Sequence, residues 1–252
     1  MKVKPPFALV ASIIVLAIGV IFIAIALWWS WKPSSPALQS PSAEPSRWVQ
    51  IENPVAIPTQ SSKITDRVDR QLVAEMADKT QIPPRVLEAY IGASIAVKEE
   101  YPDCGLGWNT LAGIGYVETA HGTVNGGYIT SQGQANPAIV GIQLNGQGVS
   151  SIPDTDHGLY DSDDRFDRAV GPMQFIPSTW EKWAHDGNGD GRLDPQNIDD
   201  AALSAAFYLC DLGGDLSEPG NWIRALAGYN APTWYANKVA DAAESYAERA
   251  ES

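Results

Sequence analysis

One glutamate sits where a carboxyl group can stay protonated. Glu118 lies near the C-terminal end of WNTLAGIGYVETAH, 108–121, an apolar run with Leu111, Ile114 and Val117 at helical spacing. Burial disfavours the carboxylate, and the partial negative charge of a helix C-terminus disfavours it further, so both effects raise the pKa and suit Glu118 to general acid catalysis. A helical glutamate taken alone is more often solvated, so the residues around it decide. His121, one turn on, could contact a sugar, but a histidine at a helix C-terminus more commonly bonds local carbonyls. A second group has the character of a metal site. Asp186, Asn188 and Asp190 fall at positions 1, 3 and 5 of a loop with Gly191 at position 6, the opening of an EF-hand, and hard oxygens so spaced suit calcium. Arg192, at position 7, would offer its backbone carbonyl, while position 12 is Asn197 instead of a bidentate Glu. The same residues without an ion make a solvated acidic turn. The nearby acidic stretch holds Asp154, Asp156, Asp161, Asp163, Asp164 and Asp167. Its spacing fits no calcium loop well, but it offers the second carboxylate that an ordinary glycoside hydrolase needs.

The elements that must position these groups are mostly helical. The tract 65–81 starts at Thr65 and spaces Val68, Leu72, Val73 and Met76 as a helix does; Pro83 and Pro84 then restart the chain into a second helix over 85–101. The third, 108–121, stops at Gly122 with His121 in its last turn. Residues 122–153 turn rich in Gly, Asn, Gln and Ser, and the alternating run IVGIQLNG predicts a short hairpin at Asn145 and Gly146. After the acidic stretch come GPMQFIPSTWEKW, the Asp-Gly loop, and helical patterns over 199–212, 221–230 and 233–250. The run from Asp241 to Ser252 reads as a solvated helix end. Trp108, Trp180, Trp183, Trp222 and Trp234 could stack on pyranose rings, though most such residues are core or half-buried. These patterns predict a mainly α single domain over 63–252 with a small β or loop excursion.

VETAHG, then AVGPMQFIPSTW some fifty residues on, then DGNGDG, DDAALSAAFYLC and AGYN form an ordered series. The series resembles the lytic transglycosylases, most nearly the branch of membrane-bound lytic murein transglycosylase B in its Gram-positive envelope form, over about 63–240. The resemblance implies a lysozyme-like helical fold and a peptidoglycan glycan strand as substrate. It implies that Glu118 is the sole catalytic carboxylate, that Met173 and Gln174 lie at the sugar site, and that Tyr208, Tyr229 and Asn230 line it. It further implies a longer calcium loop closed at position 15, which is Asp200, with Asp199 as competitor. One carboxylate suffices for the non-hydrolytic reaction, in which Glu118 protonates the bond between N-acetylmuramic acid and N-acetylglucosamine and then, as base, directs the muramic 6-hydroxyl onto C1. A hydrolytic muramidase, and a catalytically silent, calcium-stabilised wall-binding protein, are the competing readings.

Charge and compartment agree with a wall substrate. The net charge is −13, and every acidic residue lies beyond Lys32, so the bulk of the 252-residue chain repels phosphate backbones and nucleic acid is excluded as a partner of a basic patch. Residues 7–29 carry no charge and are long enough to cross a bilayer; Lys2 and Lys4 before them and Trp28, Trp29 and Trp31 after them predict a single-pass signal anchor with 1–6 in the cytoplasm and the catalytic domain outside. Cleaved secretion is the other reading, but the run exceeds the usual apolar region of a signal peptide. Residues 30–62, with six prolines and many serines, read as an extended stalk. In an extracytoplasmic setting Cys104 and Cys210 are expected to pair; two buried free thiols are the alternative.

Overall fold

The computed structural model describes residues 63–252, so the predicted anchor and stalk lie outside the described residues. Among the described residues, no helix is long and apolar enough to cross a membrane. The first expected helix begins later than its apolar spacing implies. Ile64–Arg67 form one 3-10 turn, and the Asp69 carboxylate accepts from the backbone N–H of Gln71 and Leu72, so that α1 runs over Arg70–Thr80. The helix belongs to the capping acid rather than to Thr65, because an N-cap oxygen satisfies donors that the first turn otherwise leaves orphaned. α1 ends at Gln81 in the left-handed region, and Pro84 opens α2, Pro84–Glu100, where a missing N–H costs nothing. Leu87, Tyr90, Ile91 and Val97 of α2 are wholly buried.

α3 spans Trp108–Thr119 and is closed by Ala120 and His121, both at positive φ, so His121 stands beyond the helix and not in its last turn. Four short strands follow. β1, Tyr128–Ile129, pairs antiparallel with β2, Ala135–Asn136, and β3, Val140–Gln143, pairs antiparallel with β4, Arg168–Val170. The chain does turn near Gly146, whose N–H bonds to Ser150 O, but the ladder partner of β3 is β4, across the whole acidic stretch. That stretch folds on its own carboxylates: Asp156 takes the N–H of Tyr160, and Asp161 takes that of Arg168, which brings the chain back to β3.

α4 is Pro177–Trp183, α5 Ile198–Gly213, α6 Pro219–Tyr229 and α7 Thr233–Glu251. α2 packs chiefly on α5, and α3 on α7. The Cys104–Cys210 disulfide, with Cα atoms 5.5 Å apart, joins the turn after α2 to the last turns of α5. In the chain-entropy model, closing a loop of about 100 residues stabilises by roughly 4 to 5 kcal/mol. The run from Asp241 to Ser252 is not a solvated end: Ala243, Tyr246 and Ala247 are buried, and Arg249 donates to Thr80 O. Its charged residues occupy one face and its alanines the other, and the alanines meet α3. Trp108, Trp180 and Trp222 are core, whereas Trp234 is exposed.

Two glycines let α3 sit this close to its neighbours. A Cβ on Gly113 would stand 2.7 Å from Val239 O on α7, and one on Gly115 only 1.9 Å from the Tyr90 hydroxyl. Gly115→Ala is therefore expected to destabilise by about 1–3 kcal/mol through overpacking. In a Tyr90→Phe background the loss shrinks; thermal unfolding of the four proteins in the cycle checks this, and strict additivity contradicts the contact.

Candidate active site

α3 delivers Glu118 to a cavity of about 260 Å³ between the helices and the β excursion. Gln174, Tyr208, Tyr229 and Asn230 line the same cavity, with Leu144, Ser150 and Ile152 from the β side and Phe175, Ile176 and Thr179 from the segment leading into α4. Residues more than a hundred positions apart thus converge on one carboxyl group. Glu118 is the one carboxyl among the lining residues, and no lysine, arginine or histidine is among them. Burial pushes Glu118 up to about 7, against the opposing effect of a hydrogen bond from Tyr235.

That hydrogen bond, Tyr235 Oη to Glu118 Oε1 at 2.7 Å, is the main contact that sequence reasoning missed. Tyr235 is buried, and burial raises its phenol far above the ordinary range, so it stays a donor. A signal was present: Tyr235 falls on the apolar stripe of α7 with Ala236, Val239 and Ala243, and a phenol on a buried stripe needs a partner for its hydroxyl.

The other side chains brace one another. Tyr229 donates to Met173 O at 2.8 Å, Tyr208 to Gly228 O at 3.0 Å, and the two rings lie 5.8 Å apart. Gln174, at positive φ, donates from Nε2 to Gly171 O at 3.0 Å. Met173 departs from its expected place at the sugar: its side chain is fully buried and outside the cavity lining, and it serves the site through the carbonyl that holds Tyr229. An unbranched thioether at this point fills space against α3, where its sulfur would lie 3.4 Å from a Cβ on Gly115. The His121 backbone N–H donates to Gly115 O, but its ring bonds no local carbonyl. Its ring nitrogens meet the hydroxyls of Tyr90 at 3.3 Å and Tyr246 at 2.8 Å, and burial pushes it down to about 4.

The Asp-Gly loop lies between α4 and α5. Asp186 accepts from the N–H of Gly189, Asp190 and Gly191; Asn188 accepts from Asp190 N, and Asp190 from Arg192 N. Asp200 reaches back from the first turn of α5 to the N–H of Gly187, Asn188 and Asp194. Asp199 turns away into a bidentate pair with Arg85, at 2.8 and 2.5 Å, and Asn197 caps α5 through Asp199 N. No cationic side chain answers Asp186, Asp190 or Asp200 among the described residues. Carboxylate oxygens are the donors a hard divalent cation takes, but those of Asp186, Asp190 and Asp200 do not all come within 4.8 Å of one another. The carboxylates whose oxygens all come within 4.8 Å of one another are instead Asp154, Asp156 and Asp167. They hold backbone turns in their own loop: Asp154 and Asp156 accept the N–H of Gly158, and Asp167 accepts from Thr155. None of the six acidic residues of that stretch lines the Glu118 cavity.

Residues 168–223 match the family model of the transglycosylase SLT domain. The match covers less than a quarter of the 252-residue chain. It includes Gln174, the Asp-Gly loop and Tyr208, and it stops short of Glu118 on one side and of Tyr229 and Asn230 on the other. No curated protein and no solved structure gives a significant match to the chain. The matched segment thus contains β4, α4, the Asp-Gly loop and α5, whereas Glu118 lies on α3 and Tyr235 on α7.

Carbon-13 spectra of glutamate-labelled protein should show one carboxyl titrating near 7, assigned to Glu118 by its loss in Glu118→Gln. Since the Tyr235 bond favours the ionised form, Tyr235→Phe should move that titration to higher pH. A Glu118 titration in the ordinary carboxylate range, near 4.5, or one unmoved by Tyr235→Phe, contradicts the geometry.

Proposed function

We propose that the protein is a peptidoglycan lytic transglycosylase that cleaves the β-1,4 bond between N-acetylmuramic acid and N-acetylglucosamine without water. The carrying observation is that Glu118, held protonated near neutrality, is the one carboxyl lining its cavity. An inverting or retaining hydrolase places a second carboxylate roughly 5 to 10 Å from the first. Here the acidic stretch that might have provided it is committed to backbone turns.

In this reading Glu118 gives its proton to the glycosidic oxygen as the bond to C1 breaks, and N-acetylglucosamine leaves as the alcohol. The substrate's own N-acetyl group stabilises the positive charge at C1. The Glu118 carboxylate then takes the proton of the muramic 6-hydroxyl while that oxygen bonds to C1, closing a 1,6-anhydro ring. The acid is regenerated and no water is consumed. The Tyr235 hydrogen bond steadies the carboxylate between the two steps, and Gln174, Tyr208, Tyr229 and Asn230 offer neutral polar groups to the sugar without favouring early ionisation.

Asp186, Asn188, Asp190, the Arg192 carbonyl and Asp200 would hold a structural calcium ion, whose charge would lock the loop that joins α4 to α5 and so fix the wall of the cavity. Residues 7–29 would anchor the chain in the cell membrane and the stalk would carry the catalytic domain into the wall, where it would remodel glycan strands.

The decisive test is mass spectrometry of muropeptides released from purified peptidoglycan by the full-length chain. Anhydromuramyl products are expected, falling by at least about a hundredfold in Glu118→Gln, as loss of a general acid implies. The rate should decline as pH rises through about 7, because the acid form is lost. Reducing ends would make the protein a muramidase, and wall turnover indifferent to Glu118→Gln would favour the wall-binding reading. For the ion, saturation with calcium should raise the melting temperature relative to chelator, by the equivalent of about 2.7 kcal/mol at a hundredfold excess over Kd. Asp186→Ala should abolish that rise; equal melting with and without calcium would reduce the loop to a turn.

A further inference from the structure

β3 and β4 pair out of step beside the Glu118 cavity. Val140 faces Val170 and Gln143 faces Arg168, so Gly141 and Ile142 together oppose Ala169 alone, which makes a β-bulge. A glycine inside a strand marks a bulge or a close approach of other atoms, and Gly141 has both. A Cβ placed on it would stand 2.9 Å from Oε1 of Gln174 and 3.2 Å from Ala169 O. The Gln174 side chain therefore lies in space that any other residue at 141 would fill. Gly141 is not at positive φ, so what it supplies is room rather than backbone freedom.

That room sets which end of the amide the cavity meets. Gln174 Nε2 donates to Gly171 O at 3.0 Å and, more weakly, to Ala169 O at 3.4 Å, so both of its protons are engaged by backbone carbonyls. The reversed amide would turn an oxygen onto the same two carbonyls with no proton between them. Oε1 is thus the atom left over, above Gly141, and among the described residues it accepts no hydrogen bond. Its neighbours in the cavity have the same polarity. The hydroxyl protons of Tyr229 and Tyr208 go to Met173 O and Gly228 O, which leaves acceptor lone pairs on both phenol oxygens. Three neutral acceptors in the cavity of the acid complement the O–H and N–H donors of a sugar, and they bring no charge to Glu118.

The geometry points to Gly141 as a positioning residue of this cavity: its missing side chain leaves the place in which Gln174 Oε1 stands, turned as an acceptor toward a hydroxyl or amide N–H of the sugar. A methyl group at 141 displaces that oxygen, and because the amide is rigid it also draws Nε2 off Gly171 O. The inference deepens the proposed reading, since it rests on a glycan occupying the Glu118 cavity, and it names the kind of group that Gln174 reads.

Calorimetry with soluble peptidoglycan glycan strands tests this in the full-length chain carrying Glu118→Gln, where binding is uncoupled from cleavage. Gly141→Ala should weaken binding by roughly five- to tenfold, the worth of one hydrogen bond between neutral groups, and Gln174→Ala by a similar factor. Made together, the two should cost no more than Gln174→Ala alone, because the methyl then has no amide to displace. A general disturbance of β3 would act with or without that amide, so losses that multiply, or an unchanged affinity in Gly141→Ala, overturn the proposal. For a Gly141→Ala chain that does not fold, nuclear magnetic resonance of the unaltered protein decides. The Gln174 side-chain N–H protons should exchange slowly and strand binding should move its amide carbonyl carbon, whereas fast exchange of those protons overturns the proposal. Anhydromuramyl products from the unaltered chain, with losses that multiply, remove the role of Gly141 and keep the transglycosylase; reducing ends, with the second change costing nothing, do the reverse. Strands that do not bind at all overturn both.

Discussion

Keeping one carboxylic acid neutral inside a polar cavity is the constraint on which the rest of the structure depends. Glu118 has to be buried enough to hold its proton near neutral pH, yet any cation at bonding distance would draw the proton off. The solution is a shell of phenols and amides. Tyr235 donates to the carboxyl group, and Tyr229 and Tyr208 are braced by backbone carbonyls. Charged pairs are kept at a distance, in the Arg85–Asp199 pair and in the Asp163–Arg168 pair beside β3.

That shell is only as firm as the helices under it. α3 is glycine-rich, which weakens it as an isolated helix but lets α7 and the Tyr90 side chain close on it at distances a Cβ would forbid. α7 answers with a face of alanines and tyrosines, and it reaches Glu118 through Tyr235 without lining the cavity itself. α5 carries Tyr208 and is pinned at both ends: at its start by Asn197, which caps the helix and donates to Gln132 O, and by Asp200, which binds the Asp-Gly loop, and near its finish by the Cys210 disulfide. The loop's role is thus mechanical. It fixes where α5 begins, and α5 fixes where Tyr208 stands.

The acidic stretch shows how a charge-rich segment can be structural. Six carboxylates within fourteen residues invite a catalytic or metal role, yet five of them hold backbone turns: Asp154, Asp156, Asp161, Asp163 and Asp167 accept N–H groups of their own loop. Asp163 also pairs with Arg168, binding the loop to β4. The consequence is that β3 meets β4 rather than its near neighbour in sequence, and Leu144 and Ile152 are presented to the Glu118 cavity.

Local pattern determined a good deal. Helical periodicity, prolines and glycines placed six of the seven described α-helices nearly where they lie, since these signals act over a few residues; α4 is too short to show a period. Burial of the VET helix made Glu118 a raised-pKa acid before any contact was known, and the spacing of Asp186, Asn188 and Asp190 showed the loop. Only the tertiary structure decided which long-range partners those groups have. It put Tyr235 on Glu118, sent Asp199 to Arg85 and left Asp200 in the loop, moved His121 between Tyr90 and Tyr246, and withdrew Met173 into the core. It also turned the charged-looking end of the chain into a packing helix, because Ala243, Tyr246 and Ala247 share a face that is apolar only when α3 lies against it. Periodicity reports which face is buried; it is the packing of distant segments that determines what that face touches.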